Sequence, residues 1–375
     1  MEHYLDNAAT TKVCPEAAEA AMAAMTGCYG NPGSTHTVGR EARKLLDGSR
    51  KTIASGLGCS PDELIFTSCG SESDNWAIIS GAESMRRRGG HIISSMTEHD
   101  AVRKSLDELE RRGFEVTRLA PGPSGAVEPE AVRAVLRDDT VLVSLMLVNN
   151  ETGSVTDISE VSRVLKNAGS SALLHTDAVQ AFMKIPFSAS KLGADMISIS
   201  GHKIHAPKGI GALYVRKGIR LKPMIIGGSQ EDGRRAGTEA MPQIAAFAAA
   251  CAEAQKGFKD NSERMERLRG ETVERICRCI PSAQVLGGGA PHILSLSLPG
   301  MRSEVIMNFL EAREVYVSKS SACKRGGRSH VLEAMGLPPE IIDGAIRIGF
   351  SRYSTEDDVS ALCEGIEEAF KTLAR

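Results

Sequence analysis

Apolar residues fall along this chain in two rhythms. Through its first part they form short continuous runs: Leu64-Ile65-Phe66-Thr67, His91-Ile92-Ile93-Ser94, Phe114-Glu115-Val116-Thr117, Val141 to Leu147, Ala172-Leu173-Leu174-His175 and Met196-Ile197-Ser198-Ile199. Unbroken runs of this length mark strands covered on both faces, as in a parallel sheet. Segments with helical spacing separate most of them, for example Val102 to Arg112 and Pro129 to Leu136. The alternation predicts an α/β sheet. From Thr238 onward the helical rhythm dominates, most clearly where Val359, Leu362, Cys363, Ile366, Phe370 and Leu373 share one face. That stripe reads as core. No internal repeat, low-complexity tract or linker-like run interrupts the pattern.

Length and composition narrow the picture. The 375 residues predict two or three domains, or one large enzyme domain with a smaller appendage. With 25% charged and 42% hydrophobic residues, disorder and collagen-like structure are excluded. Lys and Arg number 45 against 47 Asp and Glu, a net charge of −2 that argues against bulk binding to nucleic acid or anionic membrane. No run approaches the roughly 18 apolar residues of a membrane span. The start, Met1-Glu2-His3-Tyr4-Leu5-Asp6, has neither a basic nor an apolar leader region, so a cytoplasmic location is expected. Nine scattered cysteines suit a reducing compartment. Only Cys277 and Cys279 lie close together, and without a second pair no metal is expected.

The chemistry shows in where polar residues fall relative to the strands. Val141–Leu147 runs into Asn149-Asn150-Glu151, Leu173–His175 into Asp177 and Gln180, and Met196–Ile199 into Ser200-Gly201-His202-Lys203. Asn150, Asp177 and Lys203 thus recur 27 and 26 residues apart, each expected just past a strand's carboxyl end. In an open α/β sheet that rim binds ligands. Earlier, Leu64–Thr67 leads into Ser68-Cys69-Gly70-Ser71-Glu72-Ser73-Asp74, where Ser71 suits an N-cap and Asp74 a capping-box partner for a helix from Asn75. Such a turn offers free backbone N–H groups to a phosphate. It has neither the G-x-G-x-x-G nor the G-K-[ST] pattern. An amine, a carboxylate and a phosphate cradle on one rim fit pyridoxal phosphate, whose aldehyde takes an amine and whose ring nitrogen takes a carboxylate.

At this point the chain resembles the class V aminotransferase family, and within it the cysteine desulfurases of the NifS/IscS type. The resemblance spans essentially the whole chain. It runs through Tyr4-Leu5-Asp6-Asn7-Ala8-Ala9-Thr10-Thr11, Gly30-Asn31-Pro32-Gly33-Ser34, Thr97-Glu98-His99, Asn149-Asn150-Glu151-Thr152-Gly153 and His175-Thr176-Asp177-Ala178-Val179-Gln180. It continues in Ser200-Gly201-His202-Lys203, Arg234-Arg235-Ala236-Gly237-Thr238-Glu239 and Ser320-Ser321-Ala322-Cys323. It implies the fold type I of pyridoxal-phosphate enzymes (aspartate-aminotransferase-like), a mostly parallel seven-stranded sheet with Gly211–Val215 antiparallel. A smaller α+β domain would combine residues 1–14 with 256–375, the large one holding 15–255.

The resemblance also implies roles. Lys203 would be the Schiff-base lysine and proton carrier, Asp177 the partner of the ring nitrogen, Gln180 that of the phenolic oxygen, and His99 the stacking, proton-transferring histidine. Gly70, Ser71, Ser200 and His202 would hold the phosphate, with Thr238 from the neighbouring subunit of a homodimer, and Asn150 would lie near the cofactor. Arg347 and Asn31 would bind the substrate L-cysteine, and Cys323 would accept its sulfur for a sulfur acceptor or iron-sulfur scaffold protein. Lys319, Lys324, Arg325 and Arg328 surround Cys323 and should favour its thiolate. The pattern also departs from the family: Ser318-Lys319-Ser320 replaces Ser-Ser-Gly, the loop to Val331 is short, and Cys69-Gly70 stands for Gly-Ala. Blander readings stay open: Asp177 as an N-cap, His99 as a surface histidine, Arg347 as a structural ion pair with Arg352 the true clamp, and His205 as structural. Cys14, Cys28, Cys59, Cys69, Cys251 and Cys363 read as buried apolar residues. Alternative activities are selenocysteine lyase, cysteine sulfinate desulfinase or transaminase, and outside enzymes a pyridoxal-phosphate-fold binding scaffold.

Overall fold

The computed structural model describes residues 2–319 and 327–373. Cys323 lies outside the described residues. Seven strands form the main sheet in the order Leu64–Thr67, Gly211–Val215, Met196–Ser200, Leu173–Asp177, Thr140–Ser144, His91–Ser95, Glu115–Leu119. The last five run parallel, while Gly211–Val215 pairs antiparallel with both of its neighbours. Six of the seven strands are buried at every residue except within Glu115–Leu119, the edge strand. Helices on both faces explain why their sequences are continuous rather than alternating. One face packs on Pro15–Thr26, Thr37–Leu57 and Met241–Lys256, in a core that includes Leu46, Ile53, Phe182 and Phe247. The other buries Trp76, Ile78, Leu106 and Leu109.

Two elements differ from expectation. The strand from Val141 ends at Ser144, although Leu145 and Leu147 N–H still donate to His175 O and Asp177 O at 3.2 and 2.9 Å, and Leu145 to Val148 are all buried. The side chain of Asn149 takes over: its Oδ1 accepts from the N–H groups of Glu151 and Thr152, each at 2.9 Å, and so turns the chain. The helix after Leu64–Thr67 starts at Gly70, with Cys69 as N-cap residue, so Ser71 lies inside the first turn and makes no capping box with Asp74. Gly70 permits the early start because it adds no side chain where space is short.

A second, smaller core forms around a four-stranded antiparallel sheet ordered Ser318–Lys319, Ala345–Gly349, Ile293–Ser297, Gln284–Val285. Phe258–Cys279 and Glu356–Leu373 cover it. Val359, Leu362, Cys363 and Ile366 are buried there as their spacing predicts, but Leu373 at the helix end is exposed. The amino-terminal strand His3–Tyr4 pairs with Val315–Tyr316. Leu5 therefore belongs to the smaller core and Ala8 to the larger one. The segment between them crosses from one to the other, and the candidate site forms along it.

Candidate active site

Lys203 ends a short 3-10 turn, Gly201–Lys203, that follows directly on the Met196–Ser200 strand. Its Nζ donates to the backbone oxygens of Ala8 and Ala9, both at 2.7 Å. The amino-terminal segment is tied alongside: Thr11 N–H and Oγ1–H donate to His202 O at 3.1 and 2.9 Å, and His205 N–H donates to Thr11 Oγ1 at 2.8 Å. Gln180 donates from Nε2 to Ala8 O at 2.9 Å. Lys203 and Gln180, on separate loops, thus converge on one carbonyl. The segment Tyr4–Thr11 forms the floor under the lysine. Its signal was the pair of alanines, small enough for close approach.

Asp177 is the last residue of its strand, buried at 6% exposure. One oxygen accepts from Val179 N–H at 2.9 Å, as an N-cap would, which leaves the other for a ligand. Burial pushes its pKa up, while the charges of His99 and Lys203 oppose the rise. Beneath it lies buried Asp74, raised by burial and by the Asp177 charge, with Oδ1 unpartnered. Glu98, also buried, is pushed up to about 8; its Oε1 accepts from Ser95 Oγ at 2.6 Å and Met146 N–H at 3.1 Å. His175 between Ser144 and Ser198 is held neutral, its pKa lowered to about 3 by burial. Burial of three carboxyls, only partly offset at Asp177 by His99 and Lys203, favours a positively charged guest. His99 caps the helix Asp100–Arg111, its Nδ1 accepting from Ala101 N–H at 3.1 Å, which leaves the proton on Nε2.

The phosphate candidates also meet. A Cβ on Gly70 would stand 2.7 Å from Val179 Cγ2 and 3.5 Å from Ser200 Cβ, so Gly70, the Asp177 loop and Ser200 share one small space. Ser200 Oγ is buried there without a partner. His202, its pKa lowered to about 4 chiefly by burial, is neutral and pairs through Nδ1 with Thr10 Oγ1 at 3.2 Å. Ser71 is exposed on the first helical turn. An orphaned hydroxyl and a residue that tolerates no side chain fit a phosphate group. Thr238 is exposed on the segment before Met241–Lys256. Asn31, also exposed, lines a groove with Arg50, Glu231 and Glu239 that includes none of the Lys203 group.

Arg347 sits mid-strand in Ala345–Gly349, 2% exposed. Its Nη2 pairs with Asp6 Oδ1 at 3.0 Å and donates to Ser318 Oγ at 2.8 Å, while Nη1 donates to Asn150 O at 2.9 Å. Nε has no partner. The ion-pair reading and the clamp reading are therefore compatible, because Asp6 orients a guanidinium that keeps a free donor. Asn150 meets Arg347 through its backbone, a contact its residue type could not reveal. Arg352 points elsewhere, with its guanidinium 5.1 Å from the Tyr353 ring.

Both ends of the stretch that holds Cys323 are tied to this site. On one side Ser318 Oγ donates to Asp6 at 2.7 Å. On the other Ser329 donates to buried Glu151, and His330 Nε2 meets Glu98 O at 3.1 Å. Burial pushes Glu151 up to about 7. Of the basic residues expected around Cys323, Lys319 is paired with Glu304 and Arg328 with Asp343, the latter at 2.8 Å, while Lys324 and Arg325 lie outside the described residues. Those acids lie 15 residues away in sequence, out of sight of a local reading. Among the other cysteines Cys14, Cys251 and Cys363 are buried, but Cys28, Cys59 and Cys69 are only half-buried.

Comparison with known proteins identifies the family and the fold. The profile of the family described as Aminotransferase class-V matches residues 3–362. A cysteine desulfurase IscS of Methanosarcina thermophila is 38% identical over 99% of this chain and 92% of its own length. A cysteine desulfurase of Trichormus azollae is 41% identical over 99% and 93%. A solved structure titled NifS-like protein superposes with a TM-score of 0.93 at 38% identity, over all of both chains.

Proposed function

The chain belongs to the class V aminotransferase family, and from that premise we propose that it is a pyridoxal-phosphate-dependent cysteine desulfurase, converting L-cysteine to L-alanine and holding the sulfur on Cys323. The observation that carries this reading is the convergence of Lys203, Asp177, Gly70 and Ser200 at one rim of the sheet, with Arg347 tied to Ser318 just before the cysteine stretch. Bound pyridoxal phosphate would supply an aldehyde that condenses with amines and a ring that stabilises negative charge at the substrate's α-carbon.

The residues divide the work. Ser200, His202 and the Gly70 turn would hold the phosphate, Asp177 the ring nitrogen and His99 the ring face. Asp177's raised pKa is then an asset, since a cationic N–H opposite it offsets the cost of its buried charge. Arg347 binds the substrate carboxylate, and its own buried position excludes water from that contact. Lys203 Nζ, released from Ala8 and Ala9, carries the α-proton. Cys323 attacks the substrate sulfur as thiolate: an S–S bond forms as the C–S bond breaks. Thiol plus cysteine gives persulfide plus alanine, balanced without any external oxidant.

A homodimer is part of the reading. Ile226 is 88% exposed beside exposed Met224 and Ile225, and Thr238 and Asn31 are exposed as well. A sulfur-acceptor protein is proposed as the consumer of the persulfide. Eight described cysteines are all unpaired, which supports a reducing, cytoplasmic setting; among the described residues no helix is long and apolar enough to cross a membrane. The test is to supply L-cysteine and measure alanine in the wild type and in Cys323→Ser. Alanine from the wild type alone supports the reading. Equal rates in both, or conversion of selenocysteine but not cysteine, overturn it.

A further inference from the structure

The Gly70 turn is gripped from outside by a strap of chain, residues 229–237, that takes no part in the proposed reaction. The strap folds tightly: Glu231 and Asp232 both adopt positive φ, 50° and 56°, ahead of Gly233 at 74°. Two successive non-glycine residues in that region are costly and persist only where the surroundings hold them. Gly237 N–H donates to Gln230 Oε1 at 3.1 Å and Ala236 N–H to Ile225 O at 3.2 Å, which closes the strap on itself.

Its first anchor is buried. Glu231, 6% exposed, meets Arg50 through both oxygens at 2.7 Å, and its Oε2 also accepts from Phe66 N–H at 3.0 Å. Arg50 donates in turn to Leu64 O at 2.7 Å. The strand Leu64–Thr67 has a sheet neighbour, Gly211–Val215, on one side only. The ion pair therefore serves its open edge. That strand runs straight into the turn at residues 68–70.

The second anchor lies on the turn itself. Arg235 Nε and Nη2 donate to the two oxygens of Glu72 at 2.9 and 3.0 Å, fork to fork. Glu72 stands in the first turn of Gly70–Asn75 and reaches back, its Oε2 accepting from Ser68 N–H at 2.7 Å. Burial works against its charge, but the contacts from Arg235 and Ser68 outweigh burial and hold the carboxyl below its ordinary range. Without Arg235 the same carboxylate would be bare two residues from Gly70. The free N–H groups of that helix start and the unpartnered Ser200 hydroxyl beside it suit a phosphate. A bare carboxylate there repels the guest the turn is built for.

We propose that Arg235 is a positioning residue for the phosphate turn, acting through Glu72 by neutralising a carboxylate that the turn needs for its shape but that would otherwise oppose a bound phosphate. The inference rests on the pyridoxal phosphate reading of the site. The strap, with its strained Glu231 and Asp232, is the frame that carries Arg235 to its partner.

The full chain, freed of cofactor, is titrated with pyridoxal phosphate and separately with pyridoxal, which has the aldehyde and ring but no phosphate. The visible band of the lysine-bound ligand reports binding. Arg235→Met should weaken pyridoxal phosphate by roughly 10–100-fold and change pyridoxal by less than about threefold. Arg235→Met combined with Glu72→Gln should recover most of the lost affinity, because no bare carboxylate is left and the amide oxygen still accepts from Ser68. Equal losses for the two ligands, no loss for either, or a double variant as weak as Arg235→Met would each overturn the proposal while the wild-type band leaves the cofactor reading standing. A wild type that forms no band with pyridoxal phosphate overturns both.

Discussion

Two buried clusters of titratable groups flank the floor beneath Lys203, and they are opposite in sign. Asp74, Glu98 and Asp177 are acids whose pKa values burial raises. Lys184, His205 and His292 are bases whose values burial lowers. The same physics acts on both, since a low-dielectric interior penalises whichever form is charged. What differs is the setting: the acids lie at the rim where a cationic ring nitrogen would sit, while the bases lie behind it, with His205 held by Lys12 O and packed on the Tyr353 ring.

The sharpest break in the comparison comes at the residue between the clusters. Lys203→Ala should reduce turnover by about 10³-fold or more and remove the visible absorption of a lysine-bound cofactor, while the thermal midpoint stays close to that of the wild type. An unchanged spectrum would remove the central assignment. On the acid side, Asp177→Asn keeps shape and loses charge, so turnover should fall by roughly 10²-fold with little change in KM for cysteine. A KM effect alone would mean that Asp177 serves only as a cap for Val179.

Arg347 offers a smaller effect of a different kind. Arg347→Ala should raise KM by roughly 10–100-fold through loss of a charge-assisted contact. Asp6→Asn, which removes only the carboxylate that orients it, should raise KM by several-fold. If Arg352→Ala raised KM and Arg347→Ala did not, the clamp would be misassigned.

The smallest effects are in pH dependence, and there the two clusters should show opposite slopes. Glu98 titrates at about 8 when folded against an ordinary 4.5. The folded chain then binds more protons than the unfolded one between those values, and this contribution to stability is lost as pH rises from 4.5 to 8. Lys184 titrates at about 7 against 10.5. The unfolded chain binds more protons there, so this contribution grows as pH rises from 7 to 10.5. Thermal midpoints against pH should show Glu98→Gln flattening the first slope and Lys184→Met the second. Unchanged slopes would mean that neither group titrates as its burial implies.

On the acid side Asp177 was legible in the sequence, whereas Asp74 reads there only as a capping partner and Glu98 has no local signal, and almost none of the base side was legible. Asp177 and Lys203 stand where apolar runs end, and a run's end is a local feature. The antiparallel Gly211–Val215 is expected from the family resemblance alone, and the order of the strands is not legible in the apolar runs. Arg347 and Asp6, by contrast, are 341 residues apart, and their pairing depends on an amino-terminal strand two residues long. Lys184, His292 and Arg352 sit in three segments with no shared periodicity. The helix start was misjudged because Ser71 is a better capping residue than Cys69. Glycine at position 70, not side-chain capping, decided it. Thr238 and Asn31 rest on the family resemblance alone.

The central claim is that sulfur leaves L-cysteine for Cys323. Its most direct measure is the mass of the chain after brief exposure of the holoenzyme to an equimolar amount of L-cysteine, digested without reductant. The account predicts a gain of one sulfur atom on the peptide containing Cys323, one alanine released per sulfur gained, and no such gain in Cys323→Ser. Alanine formed with free sulfide and no sulfur on Cys323, or sulfur gained equally at another cysteine in Cys323→Ser, would contradict it.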